Sequence, residues 1–100
     1  MTRLKPIHPG EILREEFMVP LKLNANKLAL ALHVPAPTVY EIAREERGIS
    51  PEMALRLGRA FGTTPGFWTN LQADYELRVA RNEKEATVNN QVQRLELRNT

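Results

Sequence analysis

The sequence predicts an all-α domain of five helices with a helix-turn-helix at its centre. Three observations support this prediction: apolar residues recur at helical spacing, prolines and glycines stand where helices begin and end, and two short helical patterns meet across a tight turn between Leu28 and Arg47. A chain of 100 residues supports one compact domain. We divide it into an N-terminal arm (1–8) with few apolar residues, the domain itself (9–85) and a C-terminal tail (86–100).

Helix one is expected to begin at Pro9, because the amide hydrogen that proline lacks would be unpaired at the first helical position anyway. The helix continues through the segment GEILREEF and is stopped by Pro20. Its apolar residues recur at helical spacing and predict a buried stripe formed by Ile12, Leu13 and Phe17.

The segment LALALHVPAPTVYEIAREER contains both helices of the predicted helix-turn-helix. Asn24 or Asn26 caps helix two, in which Leu28 and Leu32 lie four residues apart and stack on one face. His33-Val34 makes the turn. A left-handed conformation is needed there, and histidine tolerates it better than a branched residue would.

Two prolines separate helix two from helix three. Pro35 and Pro37 prevent a continuous helix, so helix three starts near Pro37. Val39 and Ile42 then face inward. The pattern supports two readings equally: a module that presents its second helix to the major groove, or an ordinary helical hairpin inside a bundle. In either case the outward residues are Thr38, Tyr40, Glu41 and Arg44.

Helices four and five have the clearest start signals. Ser50-Pro51-Glu52 supplies a capping hydroxyl, a proline at the first helical position and an acid near the positive end of the helix dipole. Helix four then runs from Met53 to Phe61 and ends at Gly62, since glycine is the usual left-handed cap. Thr64-Pro65 repeats the start signal for helix five, which we expect to persist to about Lys84.

Helix five has a wide apolar and aromatic face, wider than a small domain needs for its core. We therefore expect part of it to form a subunit interface in a homodimer. The alternative is that Phe67 and Trp68 merely complete the core. The predicted interface residues are Phe67, Trp68, Leu71, Tyr75 and Val79.

The tail changes character from Thr87 onward. Leu95 and Leu97 alternate with polar residues as in a β-strand, but an isolated strand is not stable without a partner. The tail is therefore either disordered or extended along the sheet edge of another chain. We expect a tail that orders on contact.

Composition excludes several classes of protein. The chain has 14 basic and 12 acidic residues, and a net charge of +2 permits nucleic-acid binding without requiring it. It has no cysteine, which rules out disulfides and thiolate metal sites and is compatible with the cytoplasm, where we place the protein. No apolar run reaches the length that spans a membrane.

The residues also give no sign of an active site. His8 and His33 are the only histidines, and neither has a partner at a ligand spacing, so we expect no metal and no cofactor. No nucleophile stands beside a plausible base. We therefore predict that the protein is not an enzyme.

Three segments resemble the HigA antitoxin family, also called the VapI-like group, in order and spacing. They are HPGEIL, LALALHVPAPTVYEI and RGISPEMALRLGRAFGTTPGFWTNLQADYEL, and the match covers about His8 to Leu77. Its most specific parts are RGIS, ALRL and FW followed by NLQ. The resemblance implies a five-helix, lambda-repressor-like helix-turn-helix domain. It also implies an antitoxin of a type II toxin–antitoxin pair.

In that family a homodimer binds and represses the operator of its own operon, and also binds a HigB-like toxin, a small RelE-like protein that cleaves messenger RNA. Some residues depart from the family pattern. Relatives often carry Arg, Asn or Ser on the recognition helix, where this chain has Ala36, Pro37, Thr38 and Tyr40, and many have Gly at the position of Glu45. Two alternatives therefore stand: a toxin-binding module without specific DNA binding, and a solitary regulator of a mobile element.

The candidate DNA contacts lie on and beside helix three. Arg44 and Arg47 can pair with phosphates or guanine edges. Their alternative is an ion pair with a nearby acid: Glu41, Glu45 or Glu46. Tyr40 and Thr38 can contact a phosphate or a thymine methyl group, or else serve as a half-buried aromatic and a capping residue.

Three further residues complete the predicted interface. Glu41 can accept from a cytosine amino group, or it can orient Arg44 three residues further on. Lys27 and Asn26, near the start of helix two, can meet the DNA backbone, where a helix N-terminus already favours an anion. The alternative for Lys27 is simple solvation.

Overall fold

In the computed structural model, which describes residues 5–96, the chain folds into five helices and forms no β-strand within that range. The predicted all-α helix-turn-helix fold is confirmed. No helix in this part of the chain is both long enough and apolar enough to cross a membrane. Helix α1 spans Pro9–Ile12 and continues as a π-helical segment, π1, over Leu13–Met18; the others are α2 (Ala25–Leu32), α3 (Ala36–Ala43), α4 (Pro51–Phe61) and α5 (Pro65–Gln91).

Helix one begins at Pro9 as predicted, but its second half is not an α-helix. The N–H of Val19 donates to the carbonyl of Arg14, five residues back, at 2.9 Å. Pro20 supplies the physical reason, because in a continuing α-helix its ring would clash with the carbonyl of Glu16. The wider π turns avoid that clash.

The predicted start and stop signals of the later helices are confirmed. His33 has a φ of 57° and Gly62 a φ of 74°, so both end their helices in the left-handed conformation. Three helices begin at side chains whose oxygens accept a backbone N–H: Asn24 from Lys27 at 2.8 Å, Ser50 from Met53 at 3.1 Å, and Thr64 from Phe67 at 3.1 Å.

Helix α5 is longer than predicted: it continues past Lys84, the expected end, to Gln91. The residues from 80 to 91 are all exposed. The packed first half of α5 nucleates the helix, and each further residue then costs little to add, even in a segment of moderate helix propensity. Leu95 lies in a stretch without regular structure, while Leu97 and residues 1–4 of the predicted N-terminal arm lie outside the described residues.

A single core lies where helix one (α1 and π1), α2, α3, α4 and the first turns of α5 meet. Trp68 is its largest residue and is completely buried. Phe17, Phe61 and Phe67 surround it, with ring centroids 5.1, 6.4 and 5.0 Å from the indole. Helix α3 contributes Val39 and Ile42 to the core, so only the face of the helix that carries these two residues is buried. The largest fully buried side chains are Leu13, Leu28, Val39, Ile42, Leu57, Trp68 and Pro9.

Candidate nucleic-acid interface

Helix α3 is held against the core by one face and turns the other outward. Val39 and Ile42 are 0% exposed, and Leu28 and Ala29 of α2 belong to the same buried cluster. The left-handed residue His33 ends α2 and begins the turn that leads to α3. The side chains opposite Val39 and Ile42 therefore face away from the core, as the spacing predicted.

Arg47 lies across this outer face. One guanidinium nitrogen, Nη1, donates to Thr38 Oγ1 at 3.4 Å, and the other, Nη2, lies 3.4 Å from Glu41 Oε1. The sequence left open an ion pair for Arg47, and the structure shows one. Thr38 is not a capping residue, because α3 begins at Pro35 without any side-chain cap.

Arg44 makes a different contact. Its guanidinium carbon lies 5.4 Å from the centroid of the Tyr40 ring, a cation–π geometry, and Tyr40 is 40% exposed. Within the described part of the chain, Arg44 has no carboxylate at ion-pair distance. Glu41 pairs with Arg47. The alternative prediction, that Glu41 orients Arg44, is therefore wrong.

Asn26 and Lys27 are both exposed in the first turn of α2.

Arg14 of π1 fixes the C-terminal end of α3, a role that the sequence did not reveal. Its Nη1 donates to the carbonyl of Ala43 and lies 3.4 Å from Glu45 Oε2. Arg14 also binds Glu15 at 2.8 Å. The hydrogen bond to Glu15, followed by that to Glu45, raises the pKa of Arg14, so its charge is secure.

Glu45 occupies a position that requires a left-handed backbone. Its φ is 65°, which is unfavourable for a residue with a Cβ atom. Its half-buried carboxylate is turned toward Arg14. The negative charge that Glu45 places just beyond the end of α3 is therefore partly neutralised by Arg14.

His8 is a second residue whose role the sequence did not reveal. It is 5% exposed, and its Nδ1 accepts the N–H of Gly10 at 2.8 Å, which caps α1. Its ring packs edge-on against Tyr75 of α5, with the centroids 4.7 Å apart. Burial lowers the pKa of the imidazole, while the negative charge of Glu45 acts in the opposite direction.

The lowered pKa predicts a loss of stability in mild acid. A protonated Nδ1 cannot accept the Gly10 N–H, and the unfolded chain takes up the proton more readily than the folded chain does. The contribution of His8 is thus complete above about pH 6.5 and is lost as the pH falls through the lowered pKa. Urea unfolding at about pH 7.5 and 5.5 checks this. His8→Asn keeps a capping oxygen without titrating, so an equal pH dependence in that variant would contradict the prediction.

The residues predicted for a subunit interface differ in exposure. Trp68 is 0% exposed, and its Nε1 donates to Thr63 Oγ1 at 2.8 Å, so it leaves no surface for a second chain. The alternative, that Trp68 completes the core, is the arrangement in the structure. Phe67 is 39% exposed. The others are half-buried: Leu71, Tyr75 and Val79.

A short helix that turns its outer face and two arginines to solvent, joined by a tight turn to a supporting helix, defines a helix-turn-helix protein of the DNA-binding class. The model of the helix-turn-helix family matches residues 13–68.

Comparisons with relatives narrow this class. Virulence-associated protein I of Dichelobacter nodosus is 50% identical over 85 residues, which cover 85% of this chain and 79% of that protein. The structure of Pseudomonas aeruginosa antitoxin HigA with the higBA promoter has a TM-score of 0.88 and 49% identity, and the match covers 90% of this chain and 98% of that one. Antitoxin GraA in complex with its operator has a TM-score of 0.90 and 47% identity, with 97% and 98% covered. The chain belongs to the helix-turn-helix family, in the group of HigA antitoxins and virulence-associated protein I. This is a family of DNA-binding antitoxins and regulators, not of enzymes.

Proposed function

We propose that this protein is the antitoxin of a type II toxin–antitoxin pair. In this proposal a homodimer binds the operator of its own operon and represses it. The same protein neutralises a RelE-like toxin that cleaves messenger RNA. Both actions take place in the cytoplasm.

The position of two arginines carries the DNA-binding part of the proposal. Arg44, at the C-cap of α3, and Arg47, just beyond it, are exposed beside the outer face of the helix. Consistent with this placement, two structures that match this chain over at least 90% of its length are described with a promoter or an operator. Guanidinium groups bind phosphates and guanine edges. Asn26 and Lys27, at the N-terminus of α2, are proposed as backbone contacts, together with Thr38, Tyr40 and Glu41 of α3.

Replacing both arginines, Arg44→Ala with Arg47→Ala, is expected to weaken operator binding by about tenfold or more, because each phosphate or base contact contributes to affinity. A gel-shift titration on the upstream DNA and on a scrambled duplex, at two salt concentrations, measures this. The slope of affinity against salt should become shallower in the variant.

The matched control removes two other arginines, Arg78→Ala with Arg81→Ala, which pair with Asp74 and Glu85 along α5. It changes the net charge equally and should leave operator binding close to that of the unmodified protein. Equal losses in the two double variants would remove Arg44 and Arg47 from the interface. Equal or absent binding to both duplexes by the unmodified protein would instead favour a toxin-binding module, and a pull-down with the neighbouring gene's product would test that.

The dimer is proposed to form through the exposed part of the α5 face. Phe67 is partly exposed, and Leu71, Tyr75 and Val79 are half-buried. A twofold dimer would place two copies of α3 in successive major grooves, about 34 Å apart. Sedimentation of the protein alone and of a Phe67→Asp variant tests the interface, since a buried charge opposes association.

A further inference from the structure

The ion pair between Glu41 and Arg47 lies on the surface that the proposed function assigns to DNA. We propose that Glu41 is a specificity-determining residue. When DNA draws Arg47 away, Glu41 lowers the affinity for any sequence that offers no base group to bind its carboxylate in place of Arg47. This inference rests on the proposed function. It adds a role for an acid on a surface whose other charged residues attract DNA.

The geometry ties Arg47 to the outer face of α3 at two points. Its two terminal nitrogens each lie 3.4 Å from an oxygen, one on Thr38 and one on Glu41. The side chains of Arg47 and Glu41 are 47% and 39% exposed. A pair exposed to this extent is weak and exchangeable, because water competes for both charges.

A phosphate group competes with Glu41 for Arg47. When Arg47 turns to the DNA backbone, Glu41 is left without a partner beside a polyanion and loses part of its hydration. A carboxylate in that position is unfavourable, because like charges repel and an unpaired charge resists burial. Every DNA sequence imposes this cost on Glu41.

Only some sequences offset the cost. In the major groove the amino group of cytosine donates a hydrogen bond, and carboxylates are its usual acceptors. A site that places a cytosine opposite Glu41 gives the carboxylate a new partner after Arg47 has moved. Other sequences leave Glu41 unpaired, so discrimination arises from a penalty on the wrong sites.

Neither neighbouring acid is placed to act in this way. The half-buried carboxylate of Glu45 is held by Arg14. Glu46 is exposed beyond the end of α3 and has no ion pair within the described residues. Glu46→Gln therefore removes the same charge as Glu41→Gln, from a neighbouring position and without touching Arg47, and serves as the matched control.

The test measures dissociation constants for the operator and for a scrambled duplex, by gel shift at one salt concentration. Glu41→Gln is expected to raise affinity for the scrambled duplex about tenfold and for the operator clearly less, so that the ratio between the two falls. Glu46→Gln should raise both affinities by similar factors and keep the ratio. In Glu41→Gln with Arg47→Gln, the effects of the two substitutions should not add, because the residues are in contact.

The inference is overturned if Glu41→Gln shifts both affinities by the same factor, as Glu46→Gln does, or if it weakens binding to both duplexes. A fold defect is excluded by unchanged urea unfolding of the variant. If the unmodified protein does not prefer its operator, the proposed function fails and the inference fails with it. If the Glu41→Gln variant prefers the operator over the scrambled duplex as strongly as the unmodified protein does, the inference is wrong but the proposed function stands.

Discussion

Replacing Gly10 by alanine is expected to lower the free energy of unfolding by roughly 3 kcal/mol, an overpacking effect at the upper end of the usual range. A Cβ atom at this position would overlap the carbonyl oxygen of Ile42 and lie 3.0 Å from His8 Nδ1. Alanine favours a helix over glycine by about 1 kcal/mol. The overlap outweighs that gain because the obstructing atom belongs to the α3 backbone and cannot rotate away.

Urea unfolding followed by circular dichroism measures the effect. The matched control is Gly66→Ala in the first turn of α5, where a Cβ would meet nothing closer than Thr64 Oγ1 at 3.9 Å. That variant should be neutral or more stable by up to about 1 kcal/mol. If the two variants unfold at the same urea concentration, the close approach of α1 to α3 does not limit stability.

Truncating Trp68 to alanine is expected to cost about 3–5 kcal/mol, the usual range for a buried aromatic residue. The indole is 0% exposed and packs between Phe17 and Phe67, and its removal leaves Thr63 Oγ1 without the Nε1 donor. Small domains have about 5–15 kcal/mol of stability in total. We therefore expect a large fraction of the variant to unfold on mild heating.

Phe67→Ala is the comparison that separates the core from the proposed interface. Phe67 is 39% exposed, so its loss should cost less stability than the loss of Trp68, while it should weaken a dimer that uses this face. Thermal unfolding and sedimentation of both variants distinguish the two effects. A Trp68→Ala protein that melts at the original temperature would contradict the role of the indole as the centre of the core.

The parts of the fold that depend on local chemistry could be predicted from the sequence. The caps at Asn24, Ser50 and Thr64 and the left-handed turn at His33 depend on one residue and its immediate neighbours. The inward placement of Val39 and Ile42 follows from helical spacing alone.

The parts that depend on distant contacts could not. Arg14 reaches the end of α3 across 29 positions of sequence, and no local pattern marks such a contact. The cap at His8 was missed because histidine is not among the favoured N-cap residues. On the outer face of α3, the spacing identified the exposed residues but not their pairing, because Arg47 had several acids within reach and exposed ion pairs differ little in energy.

The exposed second half of α5 means that a single helix contains two regimes of backbone motion. Its first turns are fixed by Trp68 and the core, while the turns from residue 80 to Gln91 are exposed and carry surface pairs such as Arg81 with Glu85. Such turns open and close from the free end. Amide hydrogens near Gln91 should therefore exchange with solvent quickly, and those near Trp68 slowly. If a partner binds over the second half of α5, amide exchange there should become slower.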